Sequence, residues 1–489
     1  PIYFTPNTTV NGTLVCGPRV RRSWASLNPA DKQLYQDAVN ASMVLGFHAL
    51  FVEVHSQFDS AMESHRSCGF LYWHRRFLYA YESMLRSLEP RFACLTVPYW
   101  DYYADFAKRM AGLCTSFENC SIFLQDMGGS AGTTGATTIN GIAVSGNCAN
   151  ASFLANYCHS SSASGASCNR CLPRSDWLNK AFPSGFSYST LARLLSGSYQ
   201  YAIFSQNLQY GTHNSIHNTA MGTMGTMATA ADPIYFNHHA TVDLVAQMFY
   251  DCQVGRDMTE LEKKTSNYAF QQCILSATDT CPTVLSNMTM LTGASVPGMP
   301  STKVEEHALL APFFAPLPTQ YWQWVSGTDL GNFSYSYEKD TLFGYVNSSG
   351  LFCPKNKIRR NLATTPTMTT TTTTISTSTS TTKFTSDATL RMAAVVKTFN
   401  LFQNVYSDAM YVTSYNRDKA LEQVELMDCQ YYKDTFGFVD DLTDAFKANF
   451  KLPVTAKTTC ARLLQEMQAG AKRIDVADWK TTFKDHLGR

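Results

Sequence analysis

Apolar residues recur at spacings of three and four along much of the chain, and this period predicts a mainly α-helical protein. Residues 31–57 follow Asn28-Pro29, a capping residue and a proline suited to a first helical turn, so a helix is expected from there. Residues 73–88 bring Phe77, Leu78, Tyr81, Leu85 and Leu88 onto one helical face. Another helix should begin near His238, with Val242, Val245, Ala246 and Phe249 on its buried side. The stretch LRMAAVVKTFNLFQNVYSDAMYV, and those near 418–450 and 457–487, repeat the helical period. Residues 127–168 are rich in Gly, Ala, Ser, Thr and Asn and read instead as a long insertion loop.

One boundary interrupts the pattern. Of residues 364–386, 18 of 23 are Thr or Ser, a segment that buries too little to offset its ordering entropy. The expected organisation is therefore a body over 1–363, a Thr/Ser-rich linker over 364–386 and a small helical C-terminal region over 387–489. That last region holds one histidine, His486, so packing, capping or assembly suits it better than chemistry.

Composition narrows the class. The 489 residues carry a net charge of +1, leaving no basic field to hold nucleic acid or an anionic membrane. No apolar run approaches the roughly 18 residues of a membrane span. Fifteen cysteines, dense between Cys114 and Cys171, suit disulfides that staple a long insertion, and Cys429 with Cys460 could bridge two C-terminal helices. An odd count leaves at least one thiol outside such pairs. Cys168 and Cys171 form a lone CxxC without a second, a poor zinc signature. Sequons begin at Asn7, Asn11, Asn40, Asn119, Asn150, Asn287, Asn332 and Asn347. With the cysteines they predict a secreted protein bearing N-glycans, and the start PIYFTPNTTV reads as a mature, processed N-terminus.

The chemistry lies in the histidines. Most of the eleven fall into two clusters, His48, His55, His65 and His74, then His213, His217, His238 and His239. Such clusters suggest a two-metal site of nitrogen donors; imidazole suits copper, zinc, iron and nickel, while magnesium and calcium need oxygen. The absence of bridging carboxylates in the pattern disfavours di-iron and di-manganese sites and leaves copper favoured. In THNSIHN, His213 and His217 stand at i and i+4, on one helical face.

The segment DPIYFNHHATVD resembles the third-ligand signature of the type-3 copper proteins, the tyrosinases, catechol oxidases and haemocyanins. GFLYWHRRFLYAYESMLR and TVPYWDYYAD resemble further segments of that family, in family order over about residues 30–255. The resemblance implies a tyrosinase-like four-helix bundle holding two copper ions, with long disulfide-pinned loops. It assigns His55, His65 and His74 to the first copper, with His48 as rival to His55. To the second it assigns His213, His217 and His239, with His238 as rival to His239. Asp243 is a candidate to orient His239, and Asp101 to anchor the loop near Arg75.

Departures from the family pattern refine the expectation. Glu63 and His48 stand where many members have a cysteine bonded to the second histidine of the first copper, so no thioether is expected. Members that hydroxylate monophenols are thought to use a Glu near the second copper together with the Asn after its first ligand. Asn214 is present, but no acidic residue occurs between Asp176 and Asp232, and Gln209 occupies the neighbourhood. The expected activity is therefore oxidation of phenolic o-diphenols to o-quinones with O2, with weak action on monophenols. The loop MGTMGTMATAA, residues 221–231, has no aromatic gate and reads as a compliant, open entrance or a flexible surface loop. An oxygen-binding or structural glycoprotein on the same scaffold, assembling through the C-terminal region as a homo-oligomer, is the second reading.

Overall fold

The computed structural model describes residues 16–65, 67–197, 200–271, 281–339, 341–348, 353 and 385–488, and the backbone of 8–10 and 13–15. The sequons at Asn7, Asn11 and Asn347, residues 364–384 of the expected linker, Arg489 and Cys273 lie outside the described residues or their side chains, as do the side chains of residues 341, 348, 385 and 386. The fold is mainly helical, as the period predicts. In chain order the helices are α1 (Pro29–Val44), α2 (Phe47–Ser56), α3 (Phe58–His65), α4 (Phe70–Leu88), α5 (Tyr102–Met110) and α6 (Ile122–Asp126). They continue with α7 (Tyr188–Ser196), α8 (Tyr201–Leu208), α9 (Asn214–Ala220), α10 (Ile234–Gln253), α11 (Glu260–Thr265), α12 (Ala311–Phe314) and α13 (Thr341–Ser348). The C-terminal region supplies α14 (Thr385–Val412), α15 (Arg417–Phe436), α16 (Asp444–Asn449), α17 (Thr459–Gln468) and α18 (Trp479–Leu487).

Asn28 caps α1 by accepting from the Asp31 amide at 2.9 Å, with Pro29 in the first turn. The predicted 31–57 helix is in fact two, bent by 81° at Leu45-Gly46, where Gly46 takes φ +78°. That bend turns α2 inward, so its histidines face α4 and the loop before α10. Among the described residues no single helix is long and apolar enough to cross a membrane. Helices α2, α4, α9 and α10 surround the histidines, and their inner faces are almost wholly buried.

The expected insertion loop is partly sheet. Gly132–Ile139 pairs antiparallel with Ile142–Ala149, and Pro173–Arg174 adds a third strand. The turn is Asn140-Gly141, with φ +45° and +83°, the pair that a two-residue hairpin of this hand demands. Cysteines do pin this region: Cys114 pairs with Cys120, Cys148 with Cys171 and Cys158 with Cys168. The CxxC is thus split between two disulfides and holds no zinc. Cys16–Cys94 and Cys252–Cys353 tie the body, and Cys429–Cys460 joins α15 to α17. Cys68 is also disulfide-bonded.

A buried charge network locks the base of the bundle. Asp243 on α10 accepts from Arg75 Nε at 2.5 Å, Arg21 Nη1 at 3.2 Å and the hydroxyls of Tyr335 and Tyr337 at 2.6 Å each. Arg21 also pairs with Glu82 at 2.8 Å. Burial alone would raise both carboxyls, but the arginines outweigh it and hold Asp243 and Glu82 below their ordinary values. Asp243 therefore knits α4, α10 and the two chain ends of the body, and makes no bond to His239. Asp101 likewise differs from expectation. It caps α5 at the Ala104 amide and pairs with Arg391 of α14 at 3.0 Å, not with Arg75.

The C-terminal helices pack on the body of their own chain. α14 lies along α5, and α15 against α7. The tyrosyl hydroxyl of Tyr432 donates to the Phe182 carbonyl across this seam.

Candidate metal centre

Two groups of buried imidazoles meet at the bundle centre. His55 from α2, His65 from α3 and His74 from α4 form one; His213, His217, His238 and His239 form the other. Within each group the ligand atoms lie within 4.8 Å of one another. The groups face each other, for the rings of His74 and His239 stack at 4.2 Å and those of His65 and His213 lie 6.4 Å apart.

Five of these rings share one arrangement. Each Nδ1 donates to a backbone carbonyl: His55 to Met227 at 3.0 Å, His65 to Ala61 at 3.1 Å and His74 to Phe70 at 2.7 Å. His213 donates to Gln209 at 3.2 Å and His217 to Met224 at 2.8 Å. Three of the acceptors sit one turn earlier than the histidine, so local helical geometry fixes the ring. The proton is thereby placed on Nδ1, and every Nε2 of the five is buried without a protein partner. Burial pushes the imidazoles down, His65 to about 4 and His217 to about 3, so all are neutral at ordinary pH. Buried lone pairs with no donor opposite are costly unless a cation takes them, and the donor set is all nitrogen. The residues fit a pair of imidazole-bound transition metals.

His48 is excluded from this set. Its Nδ1 meets the Tyr81 hydroxyl at 3.1 Å and its Nε2 meets the Ala231 carbonyl at 3.0 Å, so neither nitrogen is spare. His238 and His239 both keep two nitrogens without a protein partner. His239 stacks on His74 of the other group, whereas His238 lies 5.2 Å from His213 and 5.7 Å from Tyr102. Geometry keeps both within reach.

Asn214 sits beside the second group, its Oδ1 sharing the His213 Nδ1 proton at 2.9 Å with the Gln209 carbonyl and its Nδ2 buried without a partner. Gln209 is not idle: its amide donates to the His65 carbonyl at 2.6 Å, tying the two groups together. The nearest acids in sequence are engaged elsewhere. Asp232 accepts two hydrogen bonds from Arg174, at 2.8 and 2.7 Å, and Asp176 is exposed against Asn179.

The loop 221–231 is neither open nor a surface loop. Thr223, Met224 and Ala228 through Ala231 are buried, and Thr229 Oγ1 reaches His217 Nδ1 at 3.3 Å. Over it lies the C-terminal region. Leu442, Phe446 and Phe450 form an apolar cluster against Met221 and Met227. The Phe450 ring stands 6.1 Å from His65 and 5.7 Å from His217, above both groups at once. Asn218, next to His217, clamps this cap by donating to the Asp441 carbonyl at 3.1 Å and accepting from the Thr443 amide at 2.9 Å. Asn449 adds a bond to the Gly225 carbonyl at 2.8 Å. Sequence reasoning missed Phe450, since nothing local marks it as facing the histidines, and it could not see that Asn218, beside His217, holds Asp441 and Thr443, 223 and 225 positions away.

Residues 44–251, which contain every histidine of both groups, match the family model for the common central domain of tyrosinase. This stretch is a tyrosinase-family domain. Beyond this match the chain is similar to tyrosinase-like proteins. It is 29% identical over 262 residues to a tyrosinase-like protein of Diaporthe leptostromiformis, covering 48% of this chain and 63% of that one. It is 27% identical over 246 residues to a tyrosinase of Streptomyces antibioticus, covering 46% of this chain and 80% of the other. The alignment with the Diaporthe protein thus spans less than two-thirds of that relative. A variant polyphenol oxidase of Thermothelomyces thermophila is similar at a TM-score of 0.41 and 21% identity, over 68% of this chain and 91% of that one. The match over 44–251 implies a dicopper centre, with which the histidine groups are compatible, and the C-terminal cap lies outside the matched residues.

Proposed function

We propose that this chain, through its tyrosinase-family domain, oxidises o-diphenols to o-quinones, with two coppers held by His55, His65, His74 and by His213, His217, His239. The observation that carries the reading is the set of five Nε2 atoms, buried, partnerless and convergent, with every matching Nδ1 already committed. Family spacing favours His239 over His238 as the sixth ligand. When bound, the copper pair supplies the means to bind dioxygen and to take two electrons from a diphenol. The chain's own residues hold that pair rigid: carbonyls of Met224, Met227, Ala61, Phe70 and Gln209 fix the rings, and aromatic side chains exclude water. Phe70, at 4.9 Å from His74 and 4.7 Å from His213, walls the floor.

A diphenol preference rests on proton handling. A phenol has a pKa near 10 and needs a base before it can bind as phenolate. Asn214 and Gln209 are amides, Asp232 is spent on Arg174, and Glu63 accepts from Tyr321 at 2.7 Å and the Thr289 amide at 2.7 Å. Support for an extracellular glycoprotein comes from the disulfides and from exposed sequons at Asn119, Asn150, Asn287 and Asn332. Phe450 closes the site, so we read the chain as a latent oxidase that works when the cap moves.

Metal analysis of purified protein, with catechol oxidation followed by oxygen uptake, tests this. Two coppers per chain and catechol turnover are expected. One zinc and no copper would refute the centre, while two coppers with no turnover after cap displacement would favour the oxygen-carrier reading.

A further inference from the structure

Two acids in the seam that holds the cap, Asp428 and Asp440, have no base paired with them among the described residues. Asp428 on α15 accepts from the Ser189 hydroxyl on α7, and from Ser187, and borders a narrow crevice with Phe106 and Phe402. Asp440, just before the cap, accepts from the Ser184 amide and hydroxyl, while its Oδ2 is buried with no partner. Both residues keep part of their surface in solvent, so the burial cost falls on the carboxylates turned into the seam.

The cations nearby are engaged elsewhere. Arg193 on α7 pairs with Glu425, Lys457 pairs with Asp441, and Arg109 on α5 donates to the Cys114 carbonyl and lies over Phe436. Arg391 on α14 pairs with Asp101. The facing elements also carry Tyr103, Tyr188 and Tyr432, all held neutral by burial, and on α5 Asp105, which burial raises to about 6 against the pull of Arg391 and Lys108, while Lys108 itself pairs with Asp387. Glu425 and Asp441 add negative charge beside the two acids.

We propose that Asp428 and Asp440 form a proton-operated latch, which holds the C-terminal helices and Phe450 over the metal centre when protonated and releases them when ionised. It rests on the reading of Phe450 as a shield. Burial raises Asp428 to about 7 and Asp440 to about 6, against the seryl hydroxyls that lower them and with help from the neighbouring acids. In the open chain an exposed Asp titrates near 3.9. Closure therefore takes up a proton at each acid. Docking is strongest below about pH 4, weakens by up to about tenfold per pH unit for each acid between there and its raised value, and levels off once both acids are ionised above about pH 7.

Amide hydrogen exchange over residues 442–450 of the full chain, corrected for intrinsic rates, reads docking directly. Wild type should lose at least tenfold of its protection between pH 6 and pH 8.5. An Asp428→Asn, Asp440→Asn double variant, whose amides mimic the protonated acids, should keep its pH 6 protection at pH 8.5. Asp440→Asn alone should remove part of the pH dependence. Flat protection in wild type, or the same loss in the double variant, would overturn the latch. A chain inert to catechol whose protection still follows pH would instead sink the oxidase reading and leave the latch standing.

Discussion

Phe450→Ala removes the ring that stands over both histidine groups and should turn a closed oxidase into an open one. The ring is 4% exposed and stacks on Phe446 at 4.4 Å, with His65 and His217 beneath. Truncating a buried phenylalanine costs about 3–5 kcal/mol in a core that cannot collapse. Here the cost falls on docking of the cap, because the body's core and the disulfide between α15 and α17 stay intact. The lower figure, about 3 kcal/mol, corresponds to roughly 150-fold in the closed-to-open ratio. Catechol oxidation at low substrate should rise by up to that factor, levelling off once most chains are open. The assay is initial oxygen uptake on protein of matched copper content, with Val454→Ala, an exposed site, as control. A rise of less than twofold, with copper still at two per chain, would show that Phe450 does not govern access.

Asn218→Ala cuts the bonds to residues 441 and 443 and should raise catechol turnover in the same direction by a smaller factor, on the order of tenfold for about 1.5 kcal/mol of lost hydrogen bonding. Gln209→Glu should cost about 1–3 kcal/mol in unfolding free energy, because a carboxylate would face the His65 carbonyl; denaturant titration checks this, and unchanged stability would count against the bond. Asp243→Asn strips partners from Arg21 and Arg75 and should destabilise by about 3–5 kcal/mol. Since Glu82 and Asp243 are held below their ordinary values, their contribution is present above about pH 4 and is lost as pH falls through the depressed folded values. Acid unfolding of wild type should therefore show a steep stability loss below about pH 4 that Asp243→Asn blunts.

The histidine pattern carried most of the centre, because an i, i+4 pair and a helix start fix directions of side chains through local geometry alone. His48 and His55 could not be separated by periodicity, as both lie on α2; the difference is what each meets across the bundle, Ala231 against Met227. The hairpin over 132–149 was signalled by Asn140-Gly141, but small polar residues on both faces masked its alternation. Loop 221–231 has the composition of a flexible surface. Its order comes from partners far along the chain, including Asn449 and the Leu442–Phe450 cluster. Asp243 stood on the face of His239, yet two arginines from distant segments claimed it. Local spacing reports which residues share a face, and charge partners across the fold decide what that face does.

Met224 and Met227 sit three residues apart, and one carbonyl holds His217 while the other holds His55. A single short peptide is thus the reference frame for a ligand of each metal. Whichever group is filled first fixes that peptide and prepays the ordering of the other. Metal uptake should then be cooperative, with chains carrying one copper scarce during titration. Gly222 anchors the peptide's start at φ +56°, where a Cβ would fall 2.6 Å from the Pro173 carbonyl. A side chain there would loosen both halves of the site together, and a defect that looks like a damaged loop would be read in solution as the loss of two metals at once.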